Sequence, residues 1–329
     1  MSNASDGDRS LSVVVCTYNR HSQLDGTVAS LLCQENADLE IVIIDNSSDL
    51  EAANKAKDAY AGEKNVRYFL EPVPGLSRAR NIGAAKSTHG IVAYIDDDAV
   101  AGPRWASEIA KSFEASSLVG AVGGLVSPRW MSPKPEWLTP KLLNYLSILD
   151  LGPETRELKA GEWLVGCNIA FRKNMLEASG GFSEALGRIG SAALLSNEEQ
   201  QVVNRIQQNG GLIIYNPDAR VEHLIDPERL SEQWFYRRAA WQAVSNYLSN
   251  APEAQRHASK AAERVARFLD KNNPPENSEA RIAFAHNIVL ACLDGQTLFE
   301  NKQTNRRSRL SQNILAIPGK IAKRLTTTR

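Results

Sequence analysis

The sequence is poor in cysteine and has no long apolar run. Its 329 residues include only 4 cysteines, and no two of them have CxxC spacing. This usage argues against a disulfide scaffold or a structural zinc site and favours a reducing compartment. No apolar stretch reaches the roughly 20 residues that a membrane-spanning helix needs. Residues 1–10 are polar, lack the apolar core of a signal peptide and are expected to be a disordered tag, so we predict a cytoplasmic protein.

A net charge is also lacking. The chain has 38 Lys and Arg against 38 Asp and Glu, which argues against a nucleic acid as partner. The segment 301–329 differs, because it has eight basic residues and no acidic one. Apolar residues at 310, 314, 317, 321 and 325 favour a helix on an anionic membrane surface, peripheral to the inner face of the plasma membrane. A disordered basic tail and a helix packed on the body are the alternatives.

Several motifs of well-known enzyme classes are missing. The sequence contains no GxxxxGK[ST], GxGxxG, HExxH or GxSxG. Their absence argues against a P-loop, a dinucleotide fingerprint, a zincin protease and an α/β-hydrolase. The function must therefore be sought in residues that the predicted fold brings together.

The first part of the chain alternates between strands and helices. Predicted strands cover 11–17, 40–45, 66–70, 90–95 and 119–126, and the predicted helices between them cover 23–34, 50–61, 76–86 and 103–116. The strands are continuous apolar runs, which is typical of a parallel sheet covered by helices on both faces. We therefore predict an α/β fold with a mainly parallel central sheet.

The alternation weakens after residue 126. The segment 127–140 has four prolines and two tryptophans and is predicted to be an irregular loop that covers a ligand or forms an acceptor wall. Further predicted elements are a strand at 163–172, a helix at 197–208, a strand at 212–215, an extended piece at 219–223, and helices at 230–248, 253–270 and 278–293. The last three predict a C-terminal helical region.

Three consecutive acids, Asp96, Asp97 and Asp98, follow the predicted strand at 90–95. Adjacent carboxylates require a compensating cation or shifted pKa values. Oxygen ligands favour Mg²⁺ or Mn²⁺, which proteins often share with substrate phosphates. Because ligands of open α/β sheets bind at the carboxyl ends of strands, we favour a site here over a solvated acidic turn.

Other candidates have competing explanations. Asp45 ends another strand, where it either shapes a turn or binds a ligand. Arg80 either contacts an anion or lies on a solvated helix face. Glu198 and Glu199 open a helix, where the helix dipole alone favours acids, unless one of them is a general base. His223 is a lone histidine, which is more often structural than a metal ligand.

Six segments resemble, in order and spacing, those of family 2 glycosyltransferases. They are VVVCTYNR at 13–20, IIDNSSD at 43–49, GLSRARNIG at 75–83, YIDDD at 94–98, GCNIAFRKNMLEASGGF at 166–182 and NEEQQVVNR at 197–205. The resemblance covers about 11–245 and implies a GT-A fold, a Rossmann-like sheet merged with an acceptor-binding half. It implies a division into a nucleotide-sugar-binding half at 11–126 and an acceptor-binding, catalytic half at 127–226, followed by the helical region at 227–300 and the basic tail at 301–329.

The resemblance also implies an activity. It predicts the inverting transfer of a sugar from a nucleotide-diphosphate donor, with a UDP-sugar favoured, to a hydroxyl of a glycan or lipid-linked glycan. Mn²⁺ or Mg²⁺ is the implied cofactor, and bacterial surface polysaccharide biosynthesis is the implied setting. The long C-terminal helices offer a surface for a homodimer.

The resemblance assigns roles to individual positions. These are Thr17, Asn19, Arg20, Asp45, Arg80, Asp96 and Asp97 on the donor side, Asp98 and His223 at the metal, Glu199 or Glu198 as the base, and Gly166 and Asn168 on the acceptor side. Trp130 and Trp137 of the loop are assigned to the acceptor side as well.

The main departure from the family pattern concerns the base. The usual Glu-Asp pair is here Glu198-Glu199, which is one methylene longer. Either glutamate fits the role, and a catalytically inactive nucleotide- or sugar-binding relative remains an alternative. A nucleotidyltransferase is less favoured, because residues 17–20 contain no glycine.

Overall fold

The computed structural model describes residues 10–190, 193–249 and 277–303, with side chains up to Leu293. The described residues form two compact units. The first consists of 10–129, 147–185 and 198–224, and the rest belong to the second. The predicted helix at 253–270 and the basic residues beyond 303 lie outside the described residues.

A single sheet of nine strands organises the first unit. The strands are β1 (Ser10–Thr17), β2 (Asp38–Asp45), β3 (Val66–Leu70), β4 (Ile91–Asp96), β5 (Ala99–Ala101), β6 (Val119–Trp130), β7 (Arg156–Glu157), β8 (Asn168–Arg172) and β9 (Leu212–Ile225). Their order is β3-β2-β1-β4-β8-β6-β9-β5, with β7 paired to β9. Ser10, the last residue of the segment predicted to be a tag, is the first residue of β1.

The sheet is parallel in its first half, as predicted, and gains antiparallel pairs in its second half. Strands β1 to β4 pair in parallel, whereas β8 pairs antiparallel with both β4 and β6, and β9 pairs antiparallel with β5 and β7. The parallel half follows from the βα alternation, because each crossover there contains a helix. Antiparallel neighbours such as β6 and β8 need no such crossover.

The described helices flank this sheet or form the C-terminal region. They are α1 (His21–Leu32), α2 (Leu50–Ala59), α3 (Leu76–Lys86), α4 (Trp105–Glu114), α5 (Lys173–Ala178), α6 (Glu198–Gln208), α7 (Glu232–Ser249) and α8 (Ser278–Gln303), with 3₁₀ turns at Pro140–Leu146 and Pro227–Leu230. Among these helices, none has the length and apolar composition that crossing a membrane would require.

Helices cover both faces of the parallel strands. Val13 and Ile43 point into an apolar cluster that includes residues of α1 and α4, while Val14 and Ile44 point into another that includes α3. Burial on both faces explains why these strands are continuous apolar runs. Helix α3 lies close to β1, since a Cβ on Gly83 would come within 2.3 Å of the Val14 side chain.

Two predicted strands of the second half have different bounds. Residues 212–215 and 219–223 belong to one strand, β9, although Pro217 lies between them. The chain stays extended there because proline suits an extended φ, and Asn216 Oδ1 accepts a hydrogen bond from the Asp218 N–H at 2.9 Å. The strand predicted at 163–172 begins only at Asn168.

The proline-rich segment is less irregular than predicted. Strand β6 continues to Trp130, so the first residues of 127–140 are extended, and a 3₁₀ turn begins at Pro140. Trp137 packs its ring edge-on against Phe235 at 5.2 Å. Both aromatic residues belong to the second unit.

Helices α7 and α8 form the core of the second unit. Apolar residues such as Val244 of α7 and Val289 of α8 are fully buried in one cluster. At the start of α8, Ser278 and Arg281 both donate to Glu232 of α7. This arrangement fits the predicted C-terminal helical region.

Candidate functional site

The carboxyl ends of β1, β2 and β4 share one edge of the sheet. Register pairs Thr17 with Asp45 and Cys16 with Asp96, so the polar residues after these strands lie side by side. In open α/β sheets this edge is where ligands bind.

The three adjacent acids differ in exposure. Asp97 and Asp98 are buried, whereas the Asp96 side chain is about 30% exposed. Arg20 pairs with both buried acids, and its guanidinium lies 2.7 Å from Asp98 Oδ2. Thr17 donates to Asp97 Oδ2 at 2.7 Å. Burial raises the pKa of Asp97 to about 7, because Arg20 and Thr17 offset desolvation and the neighbouring acids only in part.

The backbone around these acids is held from two sides. The hydroxyl of Thr27 on α1 lies within hydrogen-bond distance of the Asp97 and Ala99 carbonyls, at 2.9 and 2.7 Å. From β9, the Leu224 N–H donates to the Asp98 carbonyl at 2.8 Å. Sequence reasoning missed Thr27, since a threonine inside an amphipathic helix gives no distinct signal.

His223 reaches the acids through strand pairing. It lies opposite Ala99 in the antiparallel β5–β9 pair, and its Nε2 is 3.2 Å from Asp98 Oδ1. Asp96, Asp98 and His223 each offer a ligand atom within 4.8 Å of the others. Two carboxylates with one imidazole suit a divalent cation such as Mn²⁺ or Mg²⁺.

Asp45 has a different environment from the Asp96–Asp98 group. It accepts hydrogen bonds from the Ser47 N–H at 2.8 Å and the Tyr68 hydroxyl at 2.6 Å, and His21 Nε2 lies 2.8 Å from it. Burial alone would raise the pKa of Asp45, but these hydrogen bonds outweigh it and the pKa lies below its ordinary value. No local sequence pattern joins His21 to Asp45, because the two residues lie 24 positions apart in the chain.

Asn19 lies beside this acid. Its side chain exchanges hydrogen bonds with Ser48, and its N–H donates to the Ser47 hydroxyl at 2.7 Å. Its φ of 55° is in the left-handed region, which asparagine tolerates better than most residues. The turn after β1 is therefore tied to the turn after β2.

Arg80 points inward from α3 and is only 3% exposed. Its Nη1 is 2.7 Å from Glu198 Oε1 at the start of α6, and its Nη2 is 3.6 Å from Asp96 Oδ1. The alternative of a solvated helix face is thus wrong for Arg80. It describes the neighbouring Arg78 better, whose half-exposed side chain pairs with Glu71.

The two glutamates at the start of α6 are not equivalent. Glu198 is buried in the ion pair with Arg80. Glu199 is half-buried, and its Oε2 is shielded from solvent without a hydrogen-bond partner among the described residues. A shielded carboxylate oxygen without a donor is chemically suited to accept a proton.

Gly166 and Asn168 occupy very different surroundings. A Cβ on Gly166 would lie 2.4 Å from Arg80 Nη2. Asn168 is fully buried, accepting from Trp105 Nε1 at 2.8 Å and donating to the Ala219 carbonyl at 2.8 Å. These partners tie β8 to α4 and β9, so Asn168 has no free side-chain surface for an acceptor.

Trp130 and Trp137 belong to the second unit. Trp137 lines a cavity of about 320 Å³ together with residues at the start of α8. Their assignment to the acceptor side stays a prediction.

Comparison with known proteins identifies relatives. Residues 12–178 match the model of glycosyl transferase family 2. The chain is 32% identical to the glucosyl-dolichyl phosphate glucuronosyltransferase of Haloferax volcanii over 237 residues, which cover 71% of this chain and 75% of that protein. It is 26% identical to the succinoglycan biosynthesis protein ExoM of Rhizobium meliloti over 240 residues, 69% of this chain and 71% of that protein.

A solved structure shares the fold. GalNAc-T7, crystallised with UDP, GalNAc and Mn²⁺, superposes with a TM-score of 0.52 at 18% identity. The match covers 72% of this chain and 52% of that one, so the chain spans about half of that structure. At this identity the likeness concerns the fold alone.

Proposed function

We propose a specific reaction for this chain, which belongs to glycosyl transferase family 2 and is a glycosyltransferase of the GT-A fold. The reaction is the metal-dependent transfer of a sugar, with inversion, from a nucleotide-diphosphate donor to a hydroxyl group. The observation that supports it is the position of Arg80 between two groups of acids. Its guanidinium pairs with Glu198 at the start of α6 and approaches Asp96 beside the candidate metal ligands.

The donor site is proposed at the carboxyl ends of β1, β2 and β4. Asp45 and Asn19 are proposed to bind the nucleoside, because neighbouring hydrogen-bond donors keep the Asp45 carboxylate charged. Asp96 and Asp97 are proposed to face ribose or sugar hydroxyls, with Thr17 and Arg20 orienting Asp97. The residues present also fit a divalent cation.

A metal ion would be held by Asp98 and His223, with Asp96 within the same ligand distance. Bound there, Mn²⁺ or Mg²⁺ would offset the charge that develops on the leaving diphosphate. The local charge supports this assignment, because Arg20 pairs with Asp97 and Asp98, and Arg80, which approaches Asp96, also pairs with Glu198, so four carboxylates share two guanidinium groups. An added divalent cation would bring the group nearer to neutrality.

Glu199 is proposed as the general base. Its carboxylate takes the proton of the acceptor hydroxyl, and the hydroxyl oxygen forms a bond to the anomeric carbon. The bond from that carbon to the diphosphate oxygen breaks on the opposite face, and its electron pair leaves with the nucleoside diphosphate. Glu198 is less suited, because its charge is already engaged by Arg80.

A UDP-sugar is the first donor to test, and a glycan or lipid-linked glycan is the proposed acceptor. The names of the two relatives support this class, since one acts on a glucosyl-dolichyl phosphate and the other serves succinoglycan biosynthesis. Peripheral membrane binding through the basic segment beyond 303 and a homodimer stay proposals. So does the division at residue 126 into donor and acceptor halves.

Thermal unfolding with nucleotides tests the donor site. UDP, GDP, dTDP and CDP are each added with and without Mn²⁺ to the wild type, Asp98→Asn and Asp58→Asn. Asp58 is exposed on α2 and gives a matched control of equal charge change. A nucleotide at 100 times its dissociation constant stabilises by about 2.7 kcal/mol, which raises the Tm by several degrees.

We expect one nucleotide to raise the Tm only when Mn²⁺ is present, and UDP to be that nucleotide. The effect should persist in Asp58→Asn and disappear in Asp98→Asn. No response to any nucleotide would contradict the proposed function and favour a degenerate or scaffold protein. Release of pyrophosphate from a nucleoside triphosphate would instead indicate a nucleotidyltransferase.

A further inference from the structure

We propose that Arg80 is a positioning residue for helix α6, and that Gly166 provides the space its guanidinium occupies. This inference rests on the proposed function, because it concerns the helix that carries the proposed base Glu199. It changes the roles first expected for both residues. Arg80 was expected to contact the donor and Gly166 the acceptor.

The first observation is the buried ion pair. The Arg80 and Glu198 side chains are each about 4% exposed, and Nη1 lies 2.7 Å from Oε1. A charge-assisted hydrogen bond in such surroundings is strong and directional. Since Glu198 precedes Glu199 directly, the pair fixes the first turn of α6 and so the backbone of the proposed base.

The second observation is the lack of room around the guanidinium. A Cβ on Gly166 would lie 2.4 Å from Nη2 and 3.0 Å from both Cζ and Nη1, and no other atom is nearer. Two buried rings bound the same group, because Cζ lies 5.6 Å from the centre of Phe182 and 6.0 Å from that of Tyr94. Arg80 is therefore confined to one orientation.

The third observation is that α6 is tied to the same region at a second point. Arg205 donates to the Ser179 and Gly181 carbonyls at 2.7 and 3.0 Å. The next residue, Phe182, exchanges two backbone hydrogen bonds with the Asn81 side chain, beside Arg80 in α3. Helices α3 and α6 are thus joined through the 179–182 turn as well as through the ion pair.

These contacts leave Arg80 little freedom to bind a donor. Its two nitrogens already approach Glu198 and Asp96. A guanidinium stays protonated at every pH at which the protein is folded, so the cation is permanent. A permanent, confined cation between two groups of acids is suited to setting their separation.

Gly166→Ala tests the confinement without removing a charge. We expect it to lower the Tm by about 5 °C or more, since the added methyl must displace Arg80. The control is Gly26→Ala in α1, where a Cβ would meet no atom within 4 Å. That control should leave the Tm unchanged or slightly higher.

A double variant tests whether Arg80 is the cause. In Arg80→Lys the ammonium retains the charge but lacks the Nη2 atom nearest to Gly166. The fall in Tm caused by Gly166→Ala should therefore be at most half as large in the Arg80→Lys background. Equal falls in both backgrounds would overturn the proposed role of Gly166.

Turnover separates positioning from stability alone. The readout is hydrolysis of UDP-glucose, UDP-N-acetylglucosamine and UDP-glucuronic acid with Mn²⁺, where water takes the place of the acceptor hydroxyl and no glycan acceptor has to bind. We expect Gly166→Ala to lower kcat about 10- to 100-fold, while the Kd of UDP changes less than threefold. In the double variant, kcat should return to within threefold of Arg80→Lys.

A Gly166→Ala protein that unfolds at a lower temperature but retains wild-type kcat would overturn the positioning role. So would a loss of kcat that Arg80→Lys does not rescue. A wild type that binds no nucleotide and hydrolyses no donor would contradict the proposed function itself. The effect of Gly166→Ala on the Tm, compared between the wild-type and Arg80→Lys backgrounds, needs no substrate. It therefore still tests the role of Gly166 if the proposed function fails.

Discussion

The acid that ends β2 and the acids at the end of β4 lie at one edge of the sheet but have contrasting neighbours. Asp45 is surrounded by the donors Ser47, Tyr68 and His21, which lower its pKa. Asp97, within the Asp96–Asp98 group, has two other carboxylates beside it, and its pKa is raised to about 7. The contrast indicates that the charge of Asp45 is already stabilised by its own neighbours. The Asp96–Asp98 group is instead suited to binding a ligand with a positive charge.

The largest effect should appear in nucleotide binding. Asp98→Asn is expected to weaken UDP binding about 100-fold in Mn²⁺ and to remove the dependence on Mn²⁺. Asp45→Asn should weaken it about 10-fold and leave the dependence on Mn²⁺ unchanged, the size of one lost hydrogen bond to a charged group. Calorimetric titration measures both, with Asp58→Asn as control. Equal dependence of UDP binding on Mn²⁺ in the two variants would contradict the proposed difference between Asp45 and Asp98.

For the free energy of unfolding, the order should be reversed, and the replacement of Asp45 should have the larger effect. Asp45→Asn should lower the free energy of unfolding by about 2 kcal/mol, because Ser47, Tyr68 and His21 lose a charged partner. Asp97→Asn should change it by less than about 1 kcal/mol, since relief from the neighbouring carboxylates offsets the weaker bonds to Thr17 and Arg20. Urea unfolding at pH 7.5 gives both values. A larger loss in Asp97→Asn would contradict the comparison.

The stabilisation by Asp45 should depend on pH. Its pKa lies below the ordinary value of 3.8 in the folded protein, so its contribution is complete above pH 3.8 and is lost as the pH falls through the folded pKa. The difference in unfolding free energy between the wild type and Asp45→Asn should therefore shrink in acid. Unfolding at intervals from pH 7 to pH 3 measures it, and a constant difference would argue against the hydrogen bonds as its source.

The smallest effect concerns a single hydroxyl. Tyr68→Phe removes one donor from Asp45 and should cost about 1 kcal/mol. Tyr60 offers a matched control, because its ring stacks on Tyr68 and its hydroxyl donates to the exposed Asp25. Tyr60→Phe should cost less than about 0.5 kcal/mol. Chemical unfolding that ranks the two in the opposite order would contradict this difference in surroundings.

Sequence reasoning was most successful in the parallel half of the sheet. The bounds of β3 and α3 agree with the predicted 66–70 and 76–86, and Asp45 ends its strand as expected. Strand β4 runs one residue further than predicted and includes Asp96. This part is readable because parallel strands buried on both faces are uninterrupted apolar runs, and their polar ends share one edge.

The features that were not predicted depend on contacts between distant parts of the chain. Nothing near Arg80 in the sequence indicates that it turns inward to Glu198, 118 positions away. The continuity of β9 was hidden by Pro217, which usually ends a strand prediction. The space that Gly166 leaves for Arg80 is a property of packing, which no local pattern records.

Replacement of the proposed base tests the central claim most directly. Glu199→Gln is compared with Glu177→Gln, whose side chain is 62% exposed on α5, by measuring UDP release from the UDP-sugar that the wild type uses. The account predicts a fall in kcat of about 10³-fold for Glu199→Gln, with unchanged UDP affinity, and no change for Glu177→Gln. Wild-type turnover in Glu199→Gln would contradict it and show that the proton is taken elsewhere.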